Sequence, residues 1–319
     1  MTIINVYLEP NSSGNLVYYP GHILRGTVEL LLDHVEDIQC FYVTVVGKAD
    51  VNWEETKTRS VGTKDDKSVE FVNENSWGRE DYLDAETYFL GHKTGPTITL
   101  QPGIHRYSFS CQLPHKLPSS VSTRLGNITY SAIGSMDIPN HFIKDGHVPF
   151  DVVRYDDLNL CPELRLPFKF EEIKSFRCIY CASGSLIMTV TTPCTGFALG
   201  QSVPIKIDYV NKSNVDVKQT RVSLKRLIVY TYRHPERKTK MDSDIMLSVV
   251  SAGAKAKESN YFESILEIPT TLICSNEGYC KVITISYSIE IEGEIGGFHG
   301  NTKICFPVTI GSVPARAIY

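Results

Sequence analysis

The sequence lacks the long apolar runs and the reactive motifs that mark membrane proteins and many enzymes. None of its 319 residues falls in an apolar stretch near the roughly 18 residues that a membrane helix needs. The first residues show no basic segment followed by an apolar one, so we expect a cytoplasmic protein without a secretory signal. A Gly-x-Ser-x-Gly elbow, a glycine-rich phosphate loop and a His-Glu-x-x-His pair are also missing. We therefore expect no catalytic residues and no cofactor.

A strong charge of one sign is missing too. The net charge is −4, with the first half acidic and the second half basic, and this excludes the strongly basic class of nucleic-acid-binding proteins. The nine cysteines are an odd number in a long chain, which does not indicate a disulfide framework. Cys40 and Cys111 lie in strand-like patterns, and we predict that both are small buried apolar side chains.

One cysteine pair leaves its chemistry open. Cys178 and Cys181 have the spacing of half a tetrahedral zinc site or of a redox dithiol. A structural zinc site needs a second pair, and Cys274 and Cys280 are too widely spaced to supply it cleanly. The favoured interpretation is two small side chains at the start of a strand, and no metal ligand is predicted.

What the sequence does contain is an internal repeat and a period of two. Residues 18–21 with the apolar pattern that follows them recur at a constant offset in residues 197–200 and beyond. A repeat this long indicates a duplicated domain, and alternation of apolar and polar residues predicts half-buried strands. We predict an all-β protein of two tandem immunoglobulin-like antiparallel β-sandwiches. The predicted domains are residues 1–157 and, with a linker at its start, residues 158–319.

Two stretches depart from the alternation. Residues 161–170 are rich in proline and apolar residues without a clean period, and we expect an extended linker that packs on the second domain. Residues 54–88 are irregular and acidic, and we expect a long surface excursion between strands of the first sandwich.

A basic stretch between Lys218 and Lys240 is the best candidate for partner binding. The interleaved Val222, Leu224 and Tyr232 should point inward, which leaves Arg221 and Lys225 on the outer face of a hairpin. Such a face can hold an acidic peptide, a phosphate or an anionic lipid headgroup, although a solvated hairpin is the simpler interpretation. The candidate partner-binding residues are Arg154, Lys218, Arg221, Lys225, Arg226 and Arg233.

A series of short motifs, in order and spacing, resembles the arrestin family, and specifically its arrestin-domain-containing (α-arrestin) branch. The motifs in the first half are Tyr19-Pro20-Gly21, Pro102-Gly103-x-His105-x-Tyr107-x-Phe109, Leu113-Pro114, Leu117-Pro118-Ser119-Ser120 and Gly126-Asn127-Ile128-Thr129-Tyr130. Those in the second half are Cys178-x-x-Cys181-x-Ser183-Gly184, Gly196-Phe197-x-x-Gly200-Gln201, Asn211-Lys212-Ser213 and Phe306-Pro307-Val308-x-Ile310-Gly311.

The resemblance implies a non-catalytic cytosolic adaptor. Members of this family bind membrane receptors or transporters and direct their ubiquitination and endosomal sorting, which adds trafficking proteins as partners and the plasma membrane or endosomes as places of peripheral attachment. Two alternatives to the adaptor function use the same type of fold and stay open, namely a retromer-like coat subunit and a β-sandwich that binds a lipid or small molecule.

The sequence departs from the family pattern in two respects. It contains no Pro-Pro pair and ends soon after Gly311, so we expect ubiquitin ligases to be reached indirectly, for example through a tailed arrestin relative. Its first strand lacks Lys and Arg, and Arg154, near the place of the family's buried arginine, has Asp156 and Asp157 as its nearest candidate partners. We therefore predict no phosphorylation-triggered release.

Overall fold

The computed structural model describes residues 2–11, 13–63, 66–139, 144–177, 182–296 and 299–316. The chain folds into two compact units. The first unit comprises Met1–Arg154, Tyr230–Lys240 and Gly278–Ile283, and the second comprises Tyr155–Val229, Met241–Glu277 and Thr284–Tyr319. None of the helices in the described ranges is long and apolar enough to cross a membrane.

The described residues of the first half of the chain form eleven strands. They are β1 (Thr2–Leu8), β2 (Val17–Tyr18), β3 (Ile23–Leu32), β4 (Glu36–Ile38), β5 (Cys40–Thr63), β6 (Asp66–Gly91), β7 (Ile98–Leu100), β8 (Gly103–Gln112), β9 (Val121–Ser122), β10 (Gly126–Asp137) and β11 (Lys144–Val152). One sheet has the order β1-β3-β8, a larger one has the order β2-β11-β10-β5-β6 with β9 beside β10, and β4 pairs with β7.

The two main sheets of the first unit face each other. A methyl group placed on Gly134 of β10 would lie 2.8 Å from a methyl group of Val28 and 3.0 Å from one of Val6, both in the three-stranded sheet. The alternating residues of β3 and β5 supply the core, since Val28, Val43 and Phe41 are fully buried. Cys40 and Cys111 are buried as predicted.

In the second half, the part of the chain that the structure describes forms nine strands after two 3-10 turns, Leu158–Leu160 and Pro162–Arg165. The strands are β12 (Phe168–Arg177), β13 (Ala182–Thr192), β14 (Gly196–Ala198), β15 (Ser202–Asn211), β16 (Val217–Tyr232), β17 (Lys238–Ala254), β18 (Ser259–Glu267), β19 (Ile283–Ile295) and β20 (Thr302–Gly311). They build sheets with the orders β12-β13-β15-β18 and β14-β20-β19-β16-β17. Phe168 stacks on Phe306 at 4.1 Å between ring centroids, which joins the two sheets of this unit.

The internal repeat corresponds to a repeated piece of structure. In the first unit β2 pairs in parallel with β11, and in the second β14 pairs in parallel with β20. A glycine with positive φ follows each short strand, Gly21 at 81° and Gly200 at 77°. Because an L side chain is strained in this region, glycine allows the chain to turn there into the next long strand. The predicted all-β fold of two antiparallel sandwiches is confirmed.

Two local expectations were wrong or incomplete. Residues 54–88 are not an irregular excursion: β5 and β6 pair continuously from Cys40↔Gly91 to Thr63↔Asp66. Residues 54–58 and 70–75, in the outer part of this hairpin, are exposed or half-buried, so no apolar alternation is required there and the strand pattern is lost. The predicted linker over residues 161–170 contains the second 3-10 turn and the first residues of β12.

Candidate functional site

Four of the candidate basic residues lie on β16, where the hairpin prediction can be compared with burial. β16 and β17 are neighbours in the sheet, and Val222, Leu224 and Tyr232 are fully buried. The predicted inward direction of these three apolar side chains is therefore confirmed. Lys218 and Arg221 are exposed, and neither has an ion pair with another residue in the described ranges.

Lys225 lies on the outer face but is already paired with a carboxylate. Its Nζ is 2.7 Å from Oε1 of Glu290 on β19, and Nζ of Lys303 on β20 is 3.2 Å from Oε2 of the same carboxylate. Burial raises the pKa of Glu290, but the hydrogen bonds from the two lysines outweigh it and hold that pKa below its ordinary value. The positive charge of Lys225 is thus balanced within the sheet.

Arg226 points to the opposite face from Lys225, because successive side chains of a strand alternate. It shares the face of Leu224, and only 21% of its side chain is exposed. Its Nη2 donates a hydrogen bond of 3.0 Å to Oδ2 of Asp244 on β17. Arg226 therefore ties two neighbouring strands together rather than extending a basic outer face.

Arg154 is a buried residue of the first unit. It is 8% exposed, and its guanidinium carbon lies 3.3 Å from the centroid of the Tyr279 ring. Its backbone N–H donates to Oγ of Ser119 at 2.9 Å. A cation stacked on an aromatic face contributes about 2 kcal/mol or more when it is desolvated, so this contact helps to hold the segment of Tyr279.

Arg233 lies apart in sequence from the basic residues of the first half of β16, and it contributes to a cavity. Thr231, Arg233, Arg237 and Lys281, all of the first unit, line a space of about 490 Å³. Arg237 belongs to the basic stretch seen in the sequence, but it was not among the predicted site residues. Lys281 carries no sequence signal, because it follows a different loop and becomes a neighbour of Arg233 only in the folded chain.

None of the seven cysteines in the part of the chain that the structure describes forms a disulfide, and no group of three or more His, Cys, Asp or Glu side chains there could hold a metal ion. Cys178 and Cys181 lie outside the described residues, so their interpretation stays a prediction.

The fold, with its two β-sandwiches of repeated layout, places this chain in the class of tandem β-sandwich proteins. Comparison with known families identifies the family within that class. The family model for the N-terminal domain of arrestin (or S-antigen) matches residues 5–159. The model for the C-terminal domain of arrestin (or S-antigen) matches residues 182–315. The chain belongs to the arrestin family, in the branch of arrestin-domain-containing proteins.

Named relatives agree with this assignment. Arrestin domain-containing protein 1 of Rattus norvegicus is 24% identical over 95% of this chain, and the human protein of the same name is also 24% identical over 95%. Arrestin domain-containing protein 17 of Caenorhabditis elegans is 24% identical over 93% of this chain, which spans 68% of that relative. The chain spans 63% of the length of the rat and human relatives.

Proposed function

We propose that this protein is a non-catalytic arrestin-type adaptor that binds cytosolic segments of membrane receptors or transporters and directs them into endocytic trafficking, protein transport or ubiquitination. The observation that carries the proposal is the presence of both arrestin domains, in order, over most of the chain. The proposed location is the cytoplasm, with peripheral attachment at the plasma membrane or endosomes.

The edge strand β17 offers a way to bind an extended segment. β17 stands at the end of its sheet, with β16 as its hydrogen-bonded neighbour among the described strands. Ile245 is 59% exposed and Val250 is 52% exposed on this strand. An unpaired edge can accept a peptide strand through backbone hydrogen bonds, with apolar side chains adding contact area. Arg221 on β16 adds a positive charge that favours an acidic segment.

The remaining partners are proposed from the family. Trafficking proteins are direct candidates, and ubiquitin ligases and tailed arrestin relatives are candidates for indirect recruitment. Lys218 and Arg221 are the exposed cations of β16, and they are the candidate contacts for anionic lipid headgroups.

Proximity labelling in cells, with the tagged chain at native level, tests the adaptor function. We expect endocytic adaptors, receptors or transporters, or ubiquitin ligases among the labelled proteins. Labelling confined to retromer subunits would instead favour a coat subunit, and a labelled set without any trafficking protein would refute the proposal.

A pair of variants tests the edge of β17. Ile245→Asp places a charge on the edge strand, and the matched control Ile265→Asp does the same on β18 of the other sheet, where the side chain is 54% exposed. We expect Ile245→Asp to remove cargo from the labelled set and Ile265→Asp to leave it unchanged, with both variants folded by circular dichroism. Equal labelling by both variants would exclude β17 as the docking edge.

A further inference from the structure

A cavity of the second unit lies where the two 3-10 turns meet the residues that follow β20. Its charged lining consists of Asp157, Arg165 and Arg316, and residues 313–315 add apolar side chains. The three charged groups share a space of about 550 Å³, yet none of them has an ion pair with another residue that the structure describes. Opposite charges that share a cavity without pairing can each pair with a ligand that carries both signs.

The Asp157 carboxylate is held in place through one of its two oxygens. Its Oδ1 accepts hydrogen bonds from the backbone N–H of Asn159 at 2.9 Å and from Nδ2 of the same residue at 2.8 Å. These hydrogen bonds lower the pKa of Asp157, so its carboxylate is ionised at neutral pH. Oδ2 accepts no hydrogen bond from the residues that the structure describes, and it can therefore accept one from an ammonium group of a ligand.

The side chain of Asn159 ties the two walls of the cavity together. Its Nδ2 donates to the carbonyl oxygen of Pro314 at 3.0 Å, and its Oδ1 accepts from the backbone N–H of Arg316 at 2.9 Å. Nε of Arg165 donates to the carbonyl oxygen of Arg316 at 2.9 Å, which orients the guanidinium of Arg165 and leaves its two Nη atoms for a ligand. The walls are therefore ordered before any ligand arrives, which lowers the ordering cost of binding.

The number and sign of the lining charges define the chemistry of the ligand. The carboxylate of Asp157 matches one ammonium group, and the guanidinium groups of Arg165 and Arg316 match two carboxylates. A guanidinium can donate two parallel hydrogen bonds to a carboxylate, so the match is one of geometry as well as charge. We propose that this cavity binds a small zwitterion with one ammonium and two carboxylate groups, which is the chemistry of an acidic α-amino acid.

The size of the cavity admits two sources of this chemistry. Its volume of about 550 Å³ lies in the range of ligand sites, about 300–1,000 Å³, which also hold molecules larger than a free amino acid. The ligand is either a free acidic amino acid or a short peptide with a free amino terminus and an acidic first residue. The apolar side chains of residues 313–315 can contact its hydrocarbon part. The site does not depend on the proposed adaptor function, because the purified chain binds the zwitterion whether or not it recruits cargo.

Calorimetric titration of the purified chain with L-glutamate and with the dipeptide glutamyl-alanine tests the site. We expect saturable binding of at least one probe to one site, and a loss of about tenfold in affinity for Asp157→Asn and for Arg316→Gln. Asp157→Asn keeps an oxygen that can accept from Asn159, and Arg316→Gln keeps the backbone hydrogen bonds, so both variants should fold. The matched controls are Asp208→Asn and Lys206→Gln, which remove the same charges from exposed positions of β15 and should bind like the parent chain.

An acetylated probe tests whether Asp157 contacts the ligand directly. N-acetylglutamate keeps both carboxylates and lacks the ammonium, so it should bind the parent chain about tenfold more weakly than glutamate. Asp157→Asn should weaken N-acetylglutamate no further, because the contact is already lost, whereas a merely structural role would weaken both probes equally. Thermal unfolding shows whether each variant is folded.

The two probes with a free amine separate the sources of the ligand. Tighter binding of glutamyl-alanine than of glutamate indicates a short peptide, and tighter or equal binding of glutamate indicates the free amino acid. Absence of binding by both probes, equal affinity for glutamate and N-acetylglutamate, or a loss caused by Asp208→Asn or Lys206→Gln as large as that caused by the cavity variants would overturn the proposal.

Discussion

The Glu290 carboxylate, held by lysines from two neighbouring strands, makes a measurable and pH-dependent contribution to the stability of the second unit. Strands β20, β19 and β16 lie side by side, and Glu290 on the central one receives Lys303 and Lys225 from either side. The substitution Glu290→Gln keeps the size of the side chain and removes its charge. It therefore tests the ion pairs with little change in packing.

The expected magnitude follows from exposure. Glu290 is 13% exposed and Lys225 is 27% exposed, so their 2.7 Å contact is partly shielded from water. Hydrogen bonds to charged groups contribute about 1.5–3 kcal/mol when shielded, whereas exposed ion pairs contribute up to about 1 kcal/mol. Lys303 is 47% exposed, and its share is small. We expect Glu290→Gln to lower the free energy of unfolding by about 1–2 kcal/mol at neutral pH.

The pH dependence has a defined sign. The folded pKa of Glu290 is lowered from an ordinary value of 4.5, so its contribution is fully present above that value. The contribution is lost as pH falls through the lower folded pKa, because the carboxyl is then protonated in both states. The difference between the parent chain and Glu290→Gln should therefore shrink as pH falls below 4.5.

Urea unfolding at neutral and acidic pH measures both effects. The matched control is Glu263→Gln on β18, an exposed carboxylate without an ion pair among the described residues; it should change stability by less than about 0.5 kcal/mol. The reasoning is refuted if Glu290→Gln behaves like Glu263→Gln at neutral pH, or if its effect is the same size in acid.

Three further substitutions probe packing and buried hydrogen bonds, each by urea unfolding. Gly78→Ala should lower the free energy of unfolding by about 1–3 kcal/mol, because its new methyl group would lie 2.6 Å from the carbonyl oxygen of Thr231. The control is Gly300→Ala, whose methyl group would have its nearest atom 3.9 Å away. A loss at Gly78 no larger than the loss at Gly300 would contradict the prediction. Tyr209→Phe should cost about 1–2 kcal/mol, since it removes the buried 3.0 Å hydrogen bond to Thr220. Burial raises the pKa of Tyr209 from its ordinary value of 10.0 to about 12. The stability linked to its ionisation is therefore fully present below pH 10.0 and is lost as pH rises through about 12. An ultraviolet titration in which every tyrosine ionises near the ordinary pKa would show that Tyr209 is not buried. Leu224→Ala, at a fully buried position, should lower the free energy of unfolding by about 2–5 kcal/mol. The control is Leu160→Ala, at a side chain that is 79% exposed. A loss at Leu224 as small as the loss at Leu160 would place Leu224 outside the core.

Alternation and turn residues were enough to predict the fold class. The residues of β8, β15 and β19 alternate between buried and exposed positions. Each strand was recognisable in the sequence because its buried face must be apolar and its exposed face need not be. The hairpin of β5 and β6 was missed because its outer part pairs without covering a core, so its sequence is free of that constraint.

The inward direction of Val222 and Leu224 on β16 followed from a local period of two. The surroundings of the charged residues depend instead on how the strands and loops assemble. Folding placed Glu290 against Lys225, stacked Arg154 on Tyr279 and brought Lys281 to the same cavity as Arg233. Each of these pairs is distant in sequence, and a local pattern carries no information on which strands and loops become neighbours when the sheets assemble.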